Sequence, residues 1–298
     1  MRIEQLETKL KQVEKELQEA EWEEGFERAL KEYRGKDEVI SFQSYKQLLE
    51  GKQEPIWRVK SNIPTLDDLI GGFQEGNLII VTAPTGQGKT TFCQTLTRNF
   101  ADNGVRCLWF SYEVPPREFL EKFGENLPVA YLPKALVSRT MIWIERKIVE
   151  AIAKYQTKVV FIDHLHYLLD LSKVKNASLE IGAIMRELKL MALKYNIVIF
   201  IVAHMTKTRF EDKVGLEDIR DSSFISQEAD YVIVLWRDAT RQSKRDLREK
   251  GVIYTNEAVA SVEKNRRTGR TGSLRLILKD NLFYEVTENY GEEPIKKI

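Results

Sequence analysis

The chain has 298 residues with 43% hydrophobic content, enough to bury a full core, and reads as one domain plus an arm. Its 46 basic and 45 acidic residues leave a formal net charge of +1, so any nucleic-acid surface must be local. The two cysteines, Cys93 and Cys107, lie in apolar runs and are expected as buried thiols in a reducing compartment, not as a disulfide. The charged N-terminus has no leader-like apolar core, and no run of about 18 apolar residues follows, so the expectation is an intracellular, soluble protein.

Residues 1–34 form the arm. Ile3, Leu6, Leu10, Val13, Leu17 and Ala20 alternate in spacings of three and four, a narrow apolar seam on a long helix. The phase then shifts to Trp22, Phe26, Leu30 and Tyr33, which widens the stripe into a second docking surface. The seam fits a helix packed on its own domain or an arm packed on a neighbouring subunit. Residues 35–60 read as a linker with a short helix, capped by Ser41 and closed by Gly51. From residue 61 to the C-terminus the chain reads as one α/β domain, beginning with a Pro-Thr helix start and the turn glycines Gly71, Gly72 and Gly76.

The stretch NLIIVTAPTGQGKTT, residues 77–91, is a strand breaking into a glycine-containing loop and then a helix. Ala83, Pro84, Thr85, Gly86, Gln87, Gly88, Lys89 and Thr90 match the P-loop pattern G-x-x-x-x-G-K-[ST] except at Ala83, where glycine is usual. Alanine is small enough for the loop to close. Gly86 and Gly88 let backbone N–H groups approach phosphate oxygens, Lys89 is placed to reach the β and γ phosphates, and Thr90 to hold Mg²⁺. Thr91 extends the nucleotide-binding stretch into the helix.

Strands and helices then alternate, as in a largely parallel sheet covered on both faces. Strands are expected at Val105–Ser111, Lys158–Asp163, Ile197–Ala203 and Tyr231–Trp236, followed by late strands joined by turns at Gly269–Gly272 and Asp280-Asn281. Ligands in such sheets bind at the carboxyl ends of strands. There stand Glu113, a base that positions the attacking water or an ordinary acid at a helix N-terminus; Asp163, a Mg²⁺-binding acid of the Walker B kind; and His204, which by itself reads as a satisfied histidine at a strand end and otherwise as a donor to a γ-phosphate. The late segment Lys264-Asn265-Arg266-Arg267-Thr268-Gly269-Arg270-Thr271-Gly272 reads as a solvated hairpin or, in an oligomer, as a turn whose cation reaches a neighbour's γ-phosphate.

Residues 61–286 resemble the motor domain of the DnaB-like, RecA-fold replicative helicases, a group of bacterial, phage and mitochondrial hexameric helicases. The matching pieces occur in the family's order: TLDDLIGGFQEGNLIIVTAPTGQGKTTF, FSYEV, FIDHL, VAHMTK, DIRDSSFISQEADYVIVLWR and EKNRRTGRTG. The resemblance implies a RecA-like P-loop NTPase with Glu113 as catalytic glutamate, Asp163 as Walker B acid, His204 as phosphate sensor, and Lys264 and Arg266 reaching across a subunit interface. Histidine at position 204 and the spacing of the basic turn are closer to the phage and mitochondrial primase-helicase branch. Arg267 and Arg270 make the turn more basic than the pattern expects. With only the arm and linker before the motor, the expectation is a motor without a primase or zinc-binding domain.

The resemblance further implies Mg²⁺, ATP or another NTP or dNTP as substrate, a ring or spiral homo-oligomer, most simply a hexamer, and single-stranded DNA in its channel. It places channel loops at Lys173 and Lys175 and at Lys207, Arg209 and Lys213, whose cations would hold phosphates without base readout. A separate primase or polymerase is an expected partner and a membrane is not. Cytoplasm, an organelle matrix or the cytoplasm of a phage-infected host is the expected location. The function expected is an NTP-driven single-stranded-DNA translocase and replicative helicase; a RecA- or clock-type ATPase that assembles without unwinding shares the fold, as does a nucleotide-switched assembly factor.

Overall fold

In the computed structural model, residues 2–32, 38–51, 56–169, 177–204, 227–239 and 254–286 are described, and the chain divides into two units, Met1–Pro55 and Ile56–Ile298. The first unit is helical. Helix α1 (Arg2–Lys31) carries exposed four-residue ion pairs such as Glu27–Lys31 at 3.3 Å, and Trp22 stacks on Phe26 one turn away with ring centroids 5.2 Å apart. Both aromatic rings are exposed. Helix α2 (Phe42–Gly51) starts after Ser41, whose Oγ accepts the Ser44 N–H at 3.0 Å, the expected cap.

The second unit opens within the stretch read as linker: β1 (Arg58–Val59) pairs antiparallel with β2 (Phe73–Gln74). Between them α3 (Pro64–Ile70) begins at a proline, where a missing N–H costs nothing, and ends at Gly71 in the left-handed region. Then follow β3 (Leu78–Ala83), α4 (Lys89–Asp102), β4 (Cys107–Ser111), α5 (Pro116–Glu121), β5 (Ala130–Tyr131), α6 (Met141–Tyr155) and β6 (Val159–Asp163). A 3₁₀ turn at Leu165–Leu168, α7 (Ala177–Lys194), β7 (Val198–His204), β8 (Tyr231–Ala239), β9 (Tyr254–Asn265), β10 (Gly272–Lys279) and β11 (Leu282–Glu285) complete the unit.

The nine-stranded sheet has the order β11-β10-β9-β8-β3-β7-β6-β4-β5. Strands β8 to β5 in that order run parallel, and β9, β10 and β11 extend it as an antiparallel meander. Consecutive apolar residues are used on both faces, as a doubly covered parallel sheet requires. Ile79 and Val81 join Phe73, Phe92 and Phe100 on one side, while Leu78 and Ile80 join Ile144, Ile148 and Leu188 on the other. Trp109, Phe161 and Phe200 stack across neighbouring strands at 4.5 and 4.8 Å. Truncating one such buried ring costs about 3–5 kcal/mol. Cys93 and Cys107 are free and buried in this core, and burial raises both thiol pKa values. Among the described residues no helix is long and apolar enough to cross a membrane.

Candidate active site

Strands β3, β7, β6 and β4 are consecutive parallel neighbours, so their carboxyl ends open on one side of the sheet. The ladder sets Ala83 opposite His204, Asp163 opposite Val202, and Ser111 opposite Asp163. Segments distant in sequence therefore deliver the P-loop, His204, Asp163 and Glu113 to one patch.

Ala83 is the last residue of β3, extended and fully buried, so this position does not call on glycine's conformational freedom. The positions that do are Gly86, at φ 80°, and Gly88, at φ 93°; a Cβ on Gly88 would lie 3.0 Å from the Phe283 ring. Pro84 is half-buried, and Thr85 and Gly86 form the exposed tip. Gln87 turns inward, where its Oε1 accepts the Arg237 backbone N–H at 2.5 Å and ties the loop to β8. Gly88 precedes the first turn of α4, whose free N–H groups make an anion-binding end. Lys89 is buried and donates to the Ala83 and Pro84 carbonyls, each at 3.2 Å. Burial lowers its pKa, opposed by the nearby Glu113 and Asp163 carboxylates.

Thr90 Oγ1 donates to Asp163 Oδ2 at 2.6 Å, and Thr91 follows in the same turn. Asp163 is fully buried, and its Oδ1 has no hydrogen-bond partner. Burial pushes the Asp163 pKa up to about 6, against the lowering effect of the Thr90 hydrogen bond. A hydroxyl beside a buried carboxylate with one orphaned oxygen is a set of hard oxygen donors that fits Mg²⁺.

Glu113 stands two residues beyond β4 with its side chain partly exposed. Its Oε2 lies 3.9 Å from the Nε2 atoms of both His204 and His164, whose rings meet edge to face at 4.2 Å. Burial pushes the pKa of His164 down to about 3 and that of His204 to about 4, so both rings are neutral. The ligand atoms of Glu113, His164 and His204 fall within 4.8 Å of one another, a spacing compatible with a metal. His164 Nδ1, however, accepts the His166 backbone N–H at 3.3 Å. The neutral ring thus carries its proton on Nε2 and offers Glu113 a donor instead of offering a metal a lone pair.

The basic turn lies at the other end of the sheet. Tyr231 is level with both Ile79 and Asn265, so the turn stands at the start of β3. At ~3.3 Å per residue, that start is about 13 Å from Ala83 along the strand. Arg266 donates through Nη1 to Asp230 Oδ1 at 3.4 Å and through Nη2 to the Gln227 carbonyl at 2.5 Å, an acceptor shared with Lys264 at 3.3 Å. Asp230 is itself buried, paired with Lys189 at 2.6 Å and accepting the Leu78 N–H at 2.8 Å. Arg267 donates to the Ile70 carbonyl, Asn265 to Leu69 at 3.1 Å and Arg270 to Asp68 at 3.0 Å. These three side chains satisfy the carbonyls at the end of α3, which accounts for the extra arginines. Lys173, Lys175, Lys207, Arg209 and Lys213 lie outside the described residues.

The model of the DnaB-like helicase C-terminal domain matches residues 58–126 and 133–284. The chain belongs to this family. It is 24% identical over 271 residues to the replicative DNA helicase DnaB of Haemophilus influenzae, covering 79% of this chain and 56% of that protein. Over 294 residues it is 24% identical to the DnaB of Geobacillus stearothermophilus, covering 87% and 63% respectively. Among solved structures, the ATPase domain of a phage helicase superposes with a TM-score of 0.64 at 21% identity, covering 82% of this chain and 97% of that domain. A DnaB-like replicative helicase, solved in a study of its interactions with primase, superposes with a TM-score of 0.64 at 20% identity, covering 85% and 69%. The chain spans less than two thirds of the length of those two curated relatives. It is a P-loop ATPase domain of DnaB-like, RecA-like fold, with the mixed, largely parallel sheet expected.

Two residues of this DnaB-like domain escaped sequence reasoning. His164 directly follows the strand-ending acid, and its ring direction could not be read from that position. Asp230 directly precedes β8, and an acid immediately before the apolar run YVIVLW is the available signal.

Proposed function

We propose that this chain is an NTP-driven translocase on single-stranded DNA and the motor of a replicative helicase, nearer the phage and mitochondrial primase-helicase branch than the bacterial one. The observation that carries the reading is the division of the machinery between two ends of the sheet. Lys89, Thr90, Asp163, Glu113 and His204 share one end, while Lys264 and Arg266 stand at the other, about 13 Å away along β3 at the ordinary rise per residue. A cation so placed serves the P-loop of another copy, not its own. The working unit is then a ring or spiral, most simply a hexamer, with sites at subunit interfaces.

In this mechanism the P-loop amides and Lys89 bind the β and γ phosphates, with Lys89 leaving the Ala83 and Pro84 carbonyls it holds. Thr90 and Asp163 are the oxygens that would hold Mg²⁺, which when bound supplies neutralisation of phosphate charge. Glu113 accepts a proton from the attacking water, and His204 senses the γ-phosphate. Arg266, with Lys264, stabilises developing charge from the neighbouring subunit after exchanging Asp230 for phosphate. The strand-binding loops are assigned to the segments carrying Lys173 and Lys175 and carrying Lys207, Arg209 and Lys213. One solved relative is described with primase interactions, and a separate primase or polymerase is the corresponding partner here.

The test is steady-state ATP hydrolysis with and without long single-stranded DNA at modest salt, beside Arg266→Ala. Strong stimulation that the variant loses, followed by unwinding of a forked duplex, is the expected result. Hydrolysis indifferent to DNA would transfer the protein to the partner-driven ATPases, and tight binding with almost no hydrolysis would make it an assembly switch.

A further inference from the structure

His164 is buried at the centre of the patch, yet the mechanism above gives it no task. Its ring is held from three directions. Nδ1 accepts the His166 N–H at 3.3 Å, the Tyr167 ring packs against it at 4.8 Å, and His204 meets it at 4.2 Å. The one polar atom left to act is Nε2, a donor in this tautomer, and it lies 3.9 Å from Glu113 Oε2.

Glu113, by contrast, is partly exposed on a flexible side chain, so its carboxylate must lose rotamer freedom before it can work as a base. From this pairing of a fixed donor with a mobile base we infer that His164 is a positioning residue: it draws Glu113 Oε2 into a hydrogen bond, turns Oε1 toward the attacking water, and supports the His204 ring from behind. His204 Nε2 approaches the same Oε2 at 3.9 Å, so both rings gather on one oxygen and leave the other for the proton. The 3.9 Å separations shorten as the reacting groups come together, as catalytic hydrogen bonds do. This inference rests on the assignment of Glu113 as the base.

The experiment compares wild type, Glu113→Gln, His164→Gln and His164→Phe as full chains. It measures kcat and KM for ATP with Mg²⁺ and single-stranded DNA, binding of a fluorescent ATP analogue, and the melting temperature. The phenyl ring fills the same space without a donor, whereas the glutamine amide restores an N–H. His164→Phe is expected to lower kcat by roughly 10- to 100-fold, the usual scale for losing a hydrogen bond that orients a working group, with KM and analogue binding unchanged. His164→Gln is expected to recover most of the loss. Should the phenyl ring prevent folding, His164→Leu supplies the donor-free comparison. A donor-free variant with wild-type kcat, a glutamine variant no better than it, or equal losses in kcat and binding would each overturn the inference. Glu113→Gln retaining wild-type turnover would instead overturn the parent assignment, so the two failures are distinct.

Discussion

At the carboxyl ends of β3, β7, β6 and β4 the polar groups are gathered but only partly engaged with one another, whereas at the opposite end of the sheet, beside β8 and β9, the cations are bound to acceptors. Asp163 keeps a buried oxygen without a partner, and Glu113 stops 3.9 Å short of two imidazoles. Across the sheet Arg266 and Lys264 share the Gln227 carbonyl, Arg267 and Arg270 close the end of α3, and Lys189 is paired with Asp230. Density of charge is therefore a poor guide to chemistry here. The basic turn uses much of its charge for packing, while the site holds back hydrogen-bonding capacity that a phosphate, a metal or a water can take up.

Substitutions at the two ends should separate along that line. The largest effect is expected for Lys89→Ala, which removes the cation proposed to bind the phosphates and should cut hydrolysis by at least ~10²-fold, read as phosphate release. Its melting temperature should fall only modestly, because the carbonyls it leaves are neutral and no charge is stranded. Wild-type turnover in this variant would remove the P-loop from the mechanism. Asp230→Ala should act oppositely: it strands the Lys189 ammonium and frees the Leu78 N–H, and unfolding in urea should show a loss of about 3–5 kcal/mol. A loss below about 1 kcal/mol would show that the hub is solvated instead of structural. The smallest effect is expected for Arg270→Ala, which removes one exposed helix-end contact at 3.0 Å. It should cost at most about 1 kcal/mol of stability and leave DNA-stimulated hydrolysis at the wild-type level. If it abolished stimulation as Arg266→Ala is expected to, Arg270 would belong to the interface and the contrast between the ends would blur.

Much of this molecule is legible in local pattern. The runs around Ile79, Phe161 and Phe200 read as buried strands because sheets covered on both faces need consecutive apolar residues, and these strands appear within a residue or two of the expected bounds. The short pairs β1, β2 and β5 were not legible, since two residues carry no period. Glycine at 86 and 88 marked the loop because the backbone there takes positive φ, and the alanine at 83 ceases to be an exception once its strand pairing is seen.

What the sequence by itself determined was the inventory: a strand-loop-helix with Lys89 and Thr90, and strands ending near Glu113, Asp163 and His204. Tertiary structure alone decided who meets whom. The strand order β3-β7-β6-β4 brings three polar termini from distant segments to one loop, because parallel pairing depends on crossovers that local periodicity does not encode. It also decided that His164 faces Glu113, and that Arg267 and Arg270 close a helix about two hundred residues upstream while Arg266 rests on Asp230. A side chain's charge is written in its chemistry, but the acceptor it finds depends on which backbone the fold brings within about 3 Å of it.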